Sequence, residues 1–265
     1  MTVLIKGGTV VNADGSFELY HGGLRARDSV GKEIFDHIDY TNYTEYLRES
    51  VKDWSYMKFP FITSLGEEAG WYRVGPLARV NNCNRFDTPL AEQERQDFAA
   101  AGEGRPLQAA LATHWARVVE MVYAAERTLE LARDDEILSD EIRTVPTAVP
   151  SEGVGCLEAP RGTLTHHYVT DERGILKRVN LVVGTTNNHA AICMSIKKAA
   201  KGLIRKGVEI TEGLLNQVEM AFRAYDPCFA CATHSLPGRM PLAAEPAVHQ
   251  VFLPSLFQRQ IATQR

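Results

Sequence analysis

YDPCFACATHSLPGRMPL, Tyr225 to Leu242, sets two cysteines and a histidine three residues apart, directly after a stretch with helical periodicity. That helix reads from Thr211, a suitable N-cap, with Leu214, Leu215, Val218, Phe222 and Tyr225 turned inward, and Pro227 stops it. Cys228 and Cys231 therefore fall on a tight turn past a helix C-terminus, where this spacing lets two thiolates chelate one soft metal ion. A structural zinc site needs four ligands, and no second Cys-x-x-Cys and no His-x-x-x-His is present. A thioredoxin-like pair belongs at a helix N-terminus, where the dipole lowers a thiol pKa, whereas this pair follows a C-terminus. On spacing alone a soft-metal site, a redox pair and a small zinc module using Cys228, Cys231 and His234 all stay open.

Working outward, a helix is expected from about Ala190 to Lys206, closed by Gly207, and before it TLTHHYVTDERGILKRVNLVV alternates as a hairpin turning at Asp171 to Gly174. RTVPTAVPSEGVG, Arg143 to Gly155, reads as an irregular connection, and so does the Pro- and Asn-bearing RVGPLARVNNCNRFDTPLAEQ from Arg73. Between them THWARVVEMVYAAERTLELARDD predicts a long helix with Trp115, Val118, Val119, Val122 and Leu129 on its inner face. Leu47, Val51 and Trp54 predict another from Glu45 to just before Pro60. MTVLIKGGTVVNADGSF reads as a strand at Val3 to Ile5, a turn at Gly7-Gly8 and a strand at Thr9 to Val11. The expected fold class is mainly α with small antiparallel β hairpins, an α+β arrangement.

The 265 residues are 45% hydrophobic and 23% charged, enough for one large or two modest domains with a buried core. A net charge of -4 offers no basic field for a phosphate backbone, so nucleic acid is not expected as a partner. No apolar run is long enough to span a membrane and no signal peptide opens the chain, which points to the cytoplasm. Five cysteines, an odd number, argue for reduced thiols rather than a disulfide framework, and Cys83, Cys156 and Cys193 read as core residues.

Asp226-Pro227-Cys228-x-x-Cys231-x-x-His234 resembles the C-terminal signature of the large, catalytic subunit of nickel-iron hydrogenases. A second block, LEAPRGTLTHHY from Leu157 to Tyr168, resembles the Glu-Ala-Pro-Arg-Gly segment of the same subunit. DWSYMKFPF, YRVGPLARVN and NLVVGTTNN are similar to the NAD-reducing, bidirectional soluble group. The resemblance runs from roughly residue 14 to 242 and corresponds to the C-terminal half of such a subunit.

The resemblance implies a nickel-iron centre with carbon monoxide and cyanide on the iron, with Cys228 a terminal nickel ligand and Cys231 a bridge to iron. Dihydrogen is then split unevenly, the proton passing to the Cys228 sulfur or a neighbouring base. Arg161 would hold its guanidinium over the open metal position, with an ion pair to Glu158 or Asp226 as the structural alternative. Asp226 would hold that arginine, Thr185 would hydrogen-bond a cyanide, and His234 would bind magnesium. Glu152 and Glu158 could shuttle protons, but a glutamate on a loop reads as solvated. NAD and iron-sulfur clusters enter only through partners: the hydrogenase small subunit, together with flavin- and iron-sulfur-bearing diaphorase subunits. A maturation endopeptidase is expected to cleave just after His234.

Such a centre takes four cysteines, and the family's N-terminal Cys-x-x-Cys has no counterpart here. A hydrogenase large-subunit fragment is thus set beside a catalytically inactive truncated or fused remnant. The opening MTVLIKGGTVVNADGSF resembles the first hairpin of dihydropyrimidinases and hydantoinases, but the His-x-His pair those enzymes need is missing. The expected division is residues 1–12 as an unrelated hairpin, 13–234 as part of a hydrogenase large subunit, with 235–265 as a C-terminal extension.

Overall fold

The computed structural model describes residues 6–232. Its first sheet is assembled from β1 (Lys6–Val11), β2 (Gly23–Arg27) and β3 (Glu33–Ile38). β1 is a continuous strand through Gly7 and Gly8, pairing antiparallel with β2 from Gly7↔Arg27 to Val11↔Gly23, so the turn expected at those glycines does not form. The first strand expected, Val3 to Ile5, lies outside the described residues. Val10 and Val11 are buried, and that burial holds β1 in the sheet.

A one-turn helix α1 (Tyr43–Tyr46) leads into β4 (Leu47–Ser50), which pairs antiparallel with β5 (Phe59–Ile62). The helix expected from Glu45 is therefore a β ribbon. Val51 and Trp54, two of the three residues behind that expectation, are exposed, whereas Met57, Phe59 and Ile62 are buried. β6 (Tyr72–Arg73) then adds to β1 in parallel, completing a four-stranded sheet in the order β3-β2-β1-β6.

The segment from Arg73 that reads as irregular instead holds two helices, α2 (Pro76–Asn82) and α3 (Pro89–Ala100). Each starts with its proline in the first turn, where the missing N–H costs no hydrogen bond. They pack with the twenty-residue α4 (Ala112–Leu131) around Val11, Phe17, Leu77, Val80, Phe86, Phe98, Ala116 and Val119. The buried stripe of α4 is Thr113, Ala116 and Val119, rotated from the expected face: Val118 and Leu129 are more than half exposed.

After an exposed connection, β7 (Glu152–Ala159), β8 (Gly162–Thr170) and β9 (Leu176–Val182) form an antiparallel meander. The β8–β9 turn falls at Asp171 to Gly174 as expected, with the Gly174 amide donating to the Asp171 carbonyl. β7 continues the hairpin into a third strand. α5 (Gly184–Leu203) begins six residues earlier than hydrophobicity suggests, because Thr185 to Asn188 are polar yet buried. α6 (Glu212–Arg223) has the expected cap, the Thr211 hydroxyl accepting from the Leu214 amide at 3.2 Å, and α7 (Phe229–Ala232) closes the described residues. Among the described residues the architecture is mixed, with three small sheets and helices packed against them.

Candidate metal centre

Tyr225 is buried at the end of α6, its hydroxyl 3.0 Å from the Ser195 hydroxyl on α5. The next residue, Asp226, takes a left-handed conformation with φ of 50°, which a residue other than glycine adopts at some cost and which Asp tolerates better than most. That reversal sends the chain back toward the start of α5. There the Thr185 hydroxyl accepts the Cys228 amide at 3.1 Å, and the Thr186 hydroxyl donates to the Ala232 carbonyl at 3.3 Å. The cysteine turn is thus bound at both ends to the polar first turn of α5.

The sulfurs of Cys228 and Cys231 lie against each other, joined as a disulfide across a Cα separation of 5.4 Å. Reduction with two electrons and two protons yields two adjacent thiols, and each would lose its proton on binding a metal, because the thiolate is the ligand form of cysteine. Cys83 and Cys156 are buried, and burial pushes each thiol up to about 12, with Cys193 pushed up to about 11 for the same reason. Cys83 and Cys156 fit the core reading, whereas Cys193 is only half-buried. Among the described residues no group of three or more His, Cys, Asp or Glu side chains could hold a metal ion. The described residues therefore offer two thiolates and no third ligand beside them.

Arg161 stands in the tight turn between β7 and β8. Its Nε donates to the Asp226 carbonyl at 2.5 Å and lies 3.2 Å from the Asp226 carboxylate. Arg161, Asp226, Thr185, Cys228 and Cys231 are in this way brought to one place from three separate stretches of chain. His234 lies outside the described residues. Of the two ion pairs open to Arg161, the one with Asp226 forms. Glu158 pairs instead with Arg79 at 2.8 Å and is wholly buried, in contrast to the solvated loop residue expected from sequence. Burial raises the Glu158 carboxyl above the usual carboxylate range, against the pull of the Arg79 cation and of the Thr163 hydroxyl, which donates to it at 2.6 Å.

Two asparagines that carry no signal of their own in the sequence complete the support. Asn187 bonds the Tyr72 hydroxyl and donates to the Thr163 carbonyl at 2.8 Å; Asn188 accepts the Val74 amide at 2.8 Å and donates to the Arg161 carbonyl at 3.0 Å. The one pointer to them is the run Thr-Thr-Asn-Asn opening a helix whose later turns are apolar, since a buried polar run must be hydrogen-bonded.

Residues 16–234 match the nickel-dependent hydrogenase family. The chain belongs to that family. It is 44% identical over 235 residues to the NAD-reducing hydrogenase HoxS subunit beta of Cupriavidus necator, covering 88% of this chain and 48% of the relative. It is 47% identical over 242 residues to the iron-sulfur subunit of an F420-non-reducing hydrogenase from Archaeoglobus profundus, covering 89% and 49%. The crystal structure of an NAD+-reducing [NiFe]-hydrogenase in the H2-reduced state superposes with a TM-score of 0.83 at 42% identity, over 88% of this chain and 51% of that one. A nickel-iron-selenium hydrogenase from D. vulgaris Hildenborough, 21% identical with a TM-score of 0.56, shares the fold. The chain spans about half the length of the relatives it matches. Among the described residues no helix is long and apolar enough to cross a membrane.

Proposed function

We propose that this chain is the C-terminal portion of the large subunit of an NAD-reducing nickel-iron hydrogenase, and that it supplies half of the ligands of its metal centre. The observation that carries this reading is the convergence of Arg161, Asp226 and Thr185 on the Cys228-x-x-Cys231 turn. Two soft thiolates fit a nickel-iron centre as one half of a four-sulfur donor set; the other half comes from the N-terminal portion of a full-length subunit. When bound, a nickel-iron centre with carbon monoxide and cyanide on its iron would supply a redox-active Lewis acid for dihydrogen cleavage, held on this chain by Cys228 and Cys231.

The chain's own residues then have distinct tasks. The Arg161 guanidinium, held at Nε by Asp226, presents a fixed cation beside the cysteine turn, where a pre-oriented charge favours a polarised dihydrogen. The Cys228 sulfur takes the released proton. The Thr185 hydroxyl oxygen accepts the Cys228 amide, and its own proton would be available to donate to an anionic ligand of a bound centre. His234 is proposed for magnesium by its place in the motif.

Residues 13–234 are proposed as the hydrogenase part and 235–265 as an extension whose start a maturation endopeptidase cleaves. Residues 1–12 are proposed as a segment of separate ancestry, although β1 is built into the first sheet. The proposed setting is cytoplasmic, with diaphorase subunits and a hydrogenase small subunit carrying electrons to NAD.

The incomplete donor set among the described residues favours a second reading, in which the chain is a catalytically inactive truncated or fused remnant whose metal site does not form even beside an N-terminal portion. Dihydrogen-dependent dye reduction separates the two. Activity that appears when the chain is produced with the N-terminal portion of a relative, and disappears in Cys228→Ser, supports the first reading; none in either case supports the second.

A further inference from the structure

We infer that Arg79 is a positioning residue for Arg161: its guanidinium grips the turn that carries Arg161 and so aims that side chain at Asp226. Arg79 is on α2 and buried, and its nitrogens are divided between charge and backbone. Nε and Nη2 donate to the two Glu120 carboxylate oxygens at 2.6 and 2.8 Å, and Nη1 donates to Glu158 at 2.8 Å. The remaining capacity goes to the two residues immediately before Arg161: Nη1 donates to the Ala159 carbonyl at 2.7 Å and Nη2 to the Pro160 carbonyl at 3.3 Å.

The third consecutive carbonyl, that of Arg161 itself, accepts from Asn188 at 3.0 Å. Glycines let the turn seat this closely. A Cβ on Gly75 would lie 2.9 Å from the Arg161 carbonyl oxygen, and one on Gly184 3.0 Å from its carbonyl carbon. Three successive carbonyls in a tight turn are thus fixed by side chains from α2 and α5, which sets the Arg161 Cα before Asp226 engages the side chain. An ion pair with Glu158 and Glu120 needs only a cation, but reaching five acceptor oxygens on four residues at once needs the planar fork of an arginine; lysine keeps the charge and loses the grip.

The inference rests on the reading of Arg161 as a working cation, but its test needs no metal, so the two can fail separately. In the full 265-residue chain labelled with nitrogen-15, water exchange of the Arg161 Nε–H is read directly, the signal being assigned by its loss in Arg161→Lys. The internal control is the Arg25 Nε–H, which donates to Asp36 at 2.5 Å away from this turn. In a folded Arg79→Lys chain the Arg161 signal should exchange about tenfold faster while Arg25 is unchanged, because the bond to Asp226 opens more often. Unchanged Arg161 exchange overturns the inference, and so does equal acceleration of both signals, which marks a general loss of stability. Should Arg79→Lys fail to fold, Glu120→Gln loosens one arm of the fork and leaves Glu158 in place. About twofold faster exchange confined to Arg161 is then expected, and no change overturns the inference.

Discussion

Arg161 binds Asp226 twice through one nitrogen: Nε reaches the carbonyl oxygen at 2.5 Å and the carboxylate at 3.2 Å, two residues before Cys228. The pair is partly exposed, so its Coulomb energy is screened and its contribution lies in orientation. Asp226→Asn keeps the carbonyl acceptor and tolerates the left-handed backbone. It should change stability by less than about 1 kcal/mol in urea denaturation. A loss above about 2 kcal/mol would show instead that the ion pair holds the fold together.

The buried triad behaves in the opposite way. Arg79 and Glu158 are both almost fully enclosed, with Glu120 nearly so, and removing one carboxylate strands a cation in a medium that cannot solvate it. Glu158→Ala is predicted to cost about 3 kcal/mol by urea denaturation. A cost under about 1 kcal/mol would mean that water or Glu120 alone satisfies Arg79.

His189 is poised for an acid-sensitive contribution. Its Nε2 lies 3.1 Å from the Ser55 hydroxyl and its Nδ1 has no partner among the described residues, and burial lowers its pKa to about 4. The unfolded chain protonates this histidine near its ordinary value while the folded chain does not. The contribution is therefore full above about pH 6.5 and is lost as pH falls toward 4. Between about pH 7 and pH 5 the wild type should lose about 1–2 kcal/mol more than His189→Gln. Equal losses in the two proteins would place the acid sensitivity elsewhere.

Much of the second half of the chain was legible because its signals are local. Thr211 caps α6 through the Leu214 amide, and Asp171 to Gly174 close the β8–β9 turn. The first half misled where a local signal has two meanings. Pro76 and Pro89 read as breakers and act as helix starters, since proline disrupts a helix only beyond its first turn. Leu47, Val51 and Trp54 have helical spacing, but burial of Met57, Phe59 and Ile62 draws the segment into a ribbon.

The site divides similarly. Arg161, Thr185, Asp226, Cys228 and Cys231 follow from two motif blocks 65 residues apart at Arg161 and Asp226, and the structure unites them. Arg79, Asn187 and Asn188 were not legible, because their roles depend on carbonyls brought near only by folding. Glu158 was misread for a related reason: a glutamate in a turn motif looks solvated until its arginine is found on another helix.

The central claim is that this chain holds one thiolate pair of a nickel-iron centre and depends on a second pair from outside the matched half. The most direct measurement is nickel and iron content by elemental mass spectrometry, for the chain produced alone and together with the N-terminal portion of a full-length relative. The account predicts no stoichiometric nickel or iron for the chain alone, equimolar nickel and iron in the joint product, and loss of both metals in Cys228→Ser. Stoichiometric nickel and iron in the chain alone, or a joint product that keeps its metals in Cys228→Ser, would contradict it.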